Sequence, residues 1–235
     1  LFFELVALFV CGWGWGRSLG GRGWLAGAAL ASLPLVQGEL HNGVSEAAWL
    51  APVALSGWLA TRSSWATGVA VGLALALTPY HGLGAALLVA AVTLSGQGPE
   101  TPAPWRARLG NLAFAAGLAA AVSAPFLWLL AESVASPQSF VHRPLSGGWN
   151  WPALYANAVD PRAFVAPGDF WSVPSDDGPL SAVWRRTPYL GLGVLSLAAV
   201  GLLRAPRLWP VAGAGVLLVV AALGHFLFLD GSWVK

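Results

Sequence analysis

Residues 66–94 form one apolar run, interrupted in its middle by Pro79-Tyr80-His81-Gly82. As a single helix, a run of that length would measure about 43 Å, against a hydrocarbon core of roughly 30 Å. Proline removes a backbone donor and disfavours helical geometry at Leu77–Thr78. The run therefore predicts two short membrane segments that meet at Pro79–Gly82. A two-segment reading fixes the direction of every later element.

Further apolar segments occupy residues 1–16, 24–37, 47–60, 111–131, 188–203 and 208–229. Charged residues make up 9% of the chain and apolar ones 57%, whereas a soluble domain carries roughly 25% charge. The expectation is an all-α fold, a polytopic transmembrane helical bundle of about eight membrane segments with one large external loop. Several segments fall short of the roughly 20 residues a span requires, so they borrow flanking residues or are re-entrant. The organisation reads as transmembrane helices with short loops over 1–131, an external loop rich in Trp, Pro and Asp over 132–187, and a helix pair over 188–235.

Two segments within 66–94 place Arg17, Arg22, Arg62, Arg106, Arg108, Arg204 and Arg207 on one face. The opposite face then holds Glu39, His41, Glu46, Tyr80, His81 and the 132–187 loop. Charge bias does not choose between one segment and two; helix length and the proline carry that choice. Trp24, Trp49, Trp65, Trp105, Trp128, Trp184 and Trp209 stand at segment ends, where amphipathic rings favour the headgroup zone. The net charge of +2 implies no nucleic-acid partner, because the arginines sit at short connections and form no basic stripe. Membrane lipids are the expected partners.

Cys11 stands alone, which excludes an internal disulfide and a cysteine-based metal cluster. The absence of Met and Ile and the single Lys fit a piece of a longer protein from a GC-rich, bacterial genome, placed in the inner membrane. Gly12-Trp-Gly-Trp-Gly16 and Gly20-Gly-Arg-Gly23 lack the strand–turn–helix context of a phosphate loop. No HExxH or GxSxG motif occurs. Gly and Ala recur in the spans, where small residues let membrane helices approach closely.

The order of short motifs resembles the GT-C superfamily, the membrane glycosyltransferases that use polyprenyl-phosphate-linked sugars. A basic, Gly-rich turn, Arg17-Ser-Leu-Gly-Gly21, is followed by Ser32-Leu-Pro34 and by Gly38-Glu-Leu-His-Asn-Gly-Val-Ser-Glu46. Trp49-Leu-Ala-Pro52, Gly72-Leu-Ala-Leu-Ala-Leu-Thr-Pro-Tyr80 and, after the large loop, Pro188-Tyr-Leu-Gly-Leu192 come next. The resemblance implies transfer of a sugar from a polyprenyl-phosphate donor to a lipid, glycan or protein acceptor at the outer face. The family's acidic catalytic motif lies in a first external loop that would precede Leu1, so no catalytic residue is assigned.

Candidate substrate-binding residues follow from chemistry and position. Glu39, His41 and Glu46 cluster on one connection, where carboxylates and an imidazole suit a divalent cation or a sugar-phosphate headgroup; they also suit a plain solvated turn. Tyr80 and His81 would line the same cavity, or form an interfacial turn with an aromatic anchor. Asp169, beside Phe170 and Trp171, and the pair Asp176 and Asp177 offer carboxylates beside rings that stack on sugars. Asp176-Asp-Gly-Pro179 equally reads as a β-turn. Arg185 and Arg186 would clamp a lipid phosphate by forked hydrogen bonds, or simply touch headgroups. The competing functional classes are a transporter or flippase, with Glu4 and His225 in an intramembrane pathway, and a non-catalytic membrane scaffold. The sparse intramembrane charge argues against an ion-coupled carrier.

Overall fold

The computed structural model describes residues 2–32, 50–96, 104–137, 192–222, 228–229 and 232–233. These residues are mostly helical, so the all-α expectation holds. In chain order the helices are α1 (Phe2–Ser18), α2 (Gly23–Ala31), α3 (Leu50–Ala60), α4 (Ser64–Leu77), α5 (Pro79–Leu94), α6 (Trp105–Ala135), α7 (Leu192–Arg204) and α8 (Trp209–Ala222). A 3-10 turn, Pro206–Leu208, joins the last two. A two-residue antiparallel ladder pairs Phe228 with Trp233 and Leu229 with Ser232.

Helices α1 and α2 form a tight antiparallel hairpin. Its turn closes because Gly20 takes a left-handed φ of 82°, which only glycine adopts without steric cost. The Gly21 amide then reaches back to the Gly16 carbonyl at 2.9 Å, and the Gly20 amide to Arg17 at 3.0 Å. Gly12 and Gly16 on α1 face Gly27, Ala26 and Gly23 on α2, and a Cβ at Gly12 would lie 3.0 Å from the Gly27 α-carbon. With no side chain at these glycines, the two backbones approach closely, as small residues allow in apolar surroundings.

Thr78 is the hinge of the chain. It ends α4 and begins α5 in an extended conformation, φ −150° and ψ 103°, with Pro79 as the first helical residue. That is the geometry a pre-proline residue prefers, and proline at the first helical position loses no intrahelical bond. Leu75 packs directly onto Gly82 across the bend. The long apolar run is therefore two helices.

The relation between α4 and α6 fixes the directions. Gly68 meets Ala115 and Leu118, and four residues later Gly72 meets Ala119 and Val122. Both contacts advance together, so α4 and α6 run parallel in direct contact, and α5 returns antiparallel to both. Ala115, Ala119 and Ser123 are the buried residues of α6. Beyond Ser123 the helix continues exposed to Ala135, past the sequence boundary at residue 131 and into the stretch assigned to the loop.

Ala60, Val71, Ala74, Ala85, Val89, Val92 and Ala119 form the main core, with Trp15 and Val211 packed on it. Three of the buried hydroxyls are locally satisfied, whereas the Trp15 indole N–H and the Thr78 hydroxyl are enclosed with no hydrogen-bond partner among the described residues. Ser56, Thr67 and Ser123 are fully or nearly fully buried, and their hydroxyls donate to carbonyls one turn back at 2.7, 2.6 and 2.9 Å. Such back-bonding lets a hydroxyl sit in an apolar interior without an orphaned donor.

Only α6, among the described residues, is long and apolar enough to cross a membrane by itself; α7 and α8 pass that test jointly but are bent by 119°.

Candidate functional site

Of the sequence-predicted site residues, the structure describes Tyr80 and His81. Glu39, His41, Glu46, Asp169, Asp176, Asp177, Arg185 and Arg186 lie outside the described residues, as does His225.

Tyr80 and His81 occupy the first turn of α5, at the end of the bundle away from Arg62. Their rings meet edge to face, with centroids 4.5 Å apart and planes at 64°. Tyr80 is exposed, whereas His81 is half-buried with an enclosed Nδ1. Beside them the Thr78 hydroxyl is also enclosed and has no hydrogen-bond partner among the described residues. Three polar residues flanking one proline thus present a hydroxyl, a phenol and an imidazole at a helix break. Thr78 is the one extended residue of the break, and its amide and carbonyl bond to Ala74 and Gly82 at 2.9 Å each.

The depth of this break follows from the α4–α6 register. Continuing from Gly72 beside Ala119, Leu77 lies level with Ala124. Helix α6 therefore rises about 16 Å beyond the break at 1.5 Å per residue. Glu132, which accepts a 2.8 Å hydrogen bond from the Trp128 indole, marks where α6 regains polar character. Tyr80 and His81 sit below that level, at the start of a helix that begins near the height of Ala124. Between Ser63 and Gly96 His81 is the only side chain, apart from the phenol of Tyr80, that ionises.

At the opposite end the arginines gather. Arg108 Nη1 donates to the Leu94 carbonyl at 3.2 Å, and its guanidinium lies over Gly96, whose φ is 76°. The parallel register sets Arg62 level with this pair. Arg17 and Arg62 line one cavity of about 450 Å³ between α1 and α3. Sequence reasoning grouped these arginines on one face but missed the cavity. Nothing in a linear pattern brings the end of α1 beside the end of α3.

Among the described residues no group of three His, Cys, Asp or Glu side chains could hold a metal ion. Comparison with protein-family models, curated proteins and solved structures returns no match.

Proposed function

We propose that the chain is part of a polytopic membrane protein of GT-C type, which transfers a sugar from a polyprenyl-phosphate donor to a lipid, glycan or protein acceptor. The membrane half of this reading rests on the outward faces of the helices. Phe114, Phe126, Trp128 and Leu129 on α6, and Val216, Leu217 and Val220 on α8, are all more than half exposed. Soluble proteins rarely expose contiguous apolar surface on this scale, and a helix apolar all round is either a buried core helix or a membrane span. With 17% of its most apolar window buried, α6 is no core helix. Lipid is the solvent that suits it.

In a bilayer about 30 Å thick, α6 spans with its arginines at one surface and Glu132 near the other. Helices α4 and α5, about 21 and 24 Å long at 1.5 Å per residue, form a hairpin whose bend stops short of the second surface. About eight membrane segments, a cytoplasmic arginine face and an external 132–187 loop complete the arrangement, in the inner membrane of a bacterium. A divalent cation held by the carboxylates outside the described residues would neutralise the donor's phosphate.

The single observation that supports a site is the Thr78–His81 break, where an extended residue, an enclosed hydroxyl, a phenol and an imidazole come together below the end of α6. Irregular backbone at membrane depth is tolerated where protein or a water-filled cavity receives it. A phenol and an imidazole there can hydrogen-bond a sugar hydroxyl or a phosphate oxygen, and the Tyr80 ring offers an apolar sugar face a stacking surface.

The test is sugar transfer by the full-length protein in proteoliposomes supplied with a radiolabelled polyprenyl-phosphate sugar. Label appearing in an acceptor, and lost with His81→Ala, would support the enzyme. Donor movement across the bilayer without transfer would replace it with the carrier reading.

A further inference from the structure

We propose that the cavity between α1 and α3 binds the phosphate of an anionic phospholipid headgroup between Arg17 and Arg62. This site lies at the opposite end of the bundle from Tyr80 and His81. It rests on the membrane half of the proposed function and is independent of the glycosyltransferase half.

The two guanidinium groups are held in place. The Arg62 Cζ sits 4.9 Å from the ring centroid of Trp58, and the Arg17 Cζ 5.8 Å from that of Trp13. Cation–π contact restrains a guanidinium while its N–H groups remain able to bond in its own plane. Gly14 forms the floor, and a side chain there would collide with the Trp58 ring. The Ser18 hydroxyl donates to the Gly14 carbonyl at 2.9 Å, which leaves the arginines as the charged donors of the cavity.

Among the described residues no carboxylate lines it. The C-termini of α1 and α3 both end here, each equivalent to roughly half a negative charge. Two guanidiniums outweigh them, so the cavity carries net positive potential. At about 450 Å³ it exceeds what one phosphate fills and falls within the usual range for small-ligand sites.

A lipid is favoured over a soluble phosphate by what leads into the cavity. Val6, Val10, Trp13 and Arg17 follow one another at spacings of four, three and four residues, and so form one stripe of α1. The three apolar members are about 40% exposed. An acyl chain lying along Val6 and Val10 would deliver its phosphate to Arg17 at the level of the membrane surface. A soluble anion would gain nothing from that stripe.

The experiment compares lipid retention by the full chain, purified in detergent, using native mass spectrometry. The probes are phosphatidylglycerol and phosphatidylcholine of identical acyl chains, and inorganic phosphate as competitor. The expected result is about tenfold stronger retention of phosphatidylglycerol, lost in the double variant Arg17→Gln/Arg62→Gln. The double Lys variant should keep only part of the preference, because an ammonium lacks the planar fork. Equal retention of both lipids by the unaltered chain would overturn the proposal, and so would an undiminished preference in the Gln variant. Displacement of the lipid by inorganic phosphate at comparable concentration would overturn the lipid assignment in favour of a soluble anion. If the Gln variant does not fold, the unaltered chain and the Lys variant decide the matter. Failure of the chain to enter micelles or bilayers at all would remove the membrane reading itself, an outcome distinct from loss of lipid preference.

Discussion

The indole ring of Trp58 lies directly across Gly14, so α1 and α3 meet with no side chain from α1 between them. The same ring carries Arg62 on it, which links helix packing to the placement of a charge at the end of the bundle. Gly14→Ala should therefore cost about 1–3 kcal/mol through overpacking, outweighing the gain of up to about 1 kcal/mol from better helix propensity. Gly117→Ala is the control. Gly117 has no neighbour within 4 Å of an added Cβ, so only the propensity gain should appear. Reversible unfolding in mixed micelles measures both, and equal behaviour of the two variants would refute the close contact.

The end of α5 depends on Gly96 and Arg108 acting together. Gly96→Ala forces an L-residue into left-handed backbone, at roughly 1–2 kcal/mol. Arg108→Ala removes the donor to the Leu94 carbonyl, about 1 kcal/mol for a hydrogen bond at an exposed site. Because the guanidinium lies over Gly96, the two effects should not add in a double-mutant cycle. Additive losses would mean that Arg108 acts elsewhere.

Single-cysteine labelling with an impermeant reagent, in a Cys11→Ala background, tests the hairpin of α4 and α5 in the membrane. Cysteines at positions 81 and 106 should label from opposite sides, and those at 62 and 106 from the same side. Labelling of 81 and 106 from one side would contradict the parallel arrangement of α4 and α6.

His81→Ala should lower donor binding or transfer by about tenfold or more, the equivalent of one lost hydrogen bond to a charged group. Tyr80→Phe should cost less, because the stacking surface survives. Both variants should retain the labelling pattern of the unaltered chain. Normal transfer by His81→Ala would reduce the break to an interfacial turn.

Much of the architecture was legible in the chain. Pro79 and the length of 66–94 determined two helices, with a break at Leu77–Thr78 where the following proline disfavours helical geometry. The apolar segments determined an all-α fold, and the two-segment reading of 66–94 grouped Arg17, Arg62 and Arg108 at one end. These features are local. Each follows from backbone sterics or from segment length.

Only the tertiary structure decided which small residues form interfaces, with Gly12 and Gly16 against α2, Gly68 and Gly72 against Ala115 and Ala119, and Gly14 beneath Trp58. It alone set the depth of Tyr80 and His81 below the end of α6, and brought Arg17 and Arg62 to one cavity. The physical reason lies in the solvent that such helices suit. In a soluble protein the core-facing side is apolar and the outer side polar, so periodicity reveals the faces. Here both sides are apolar, as the proposed lipid surroundings would demand of them. Contact faces then differ from outer faces in the size of their side chains, and the partner of each small residue becomes visible only when the helices are packed.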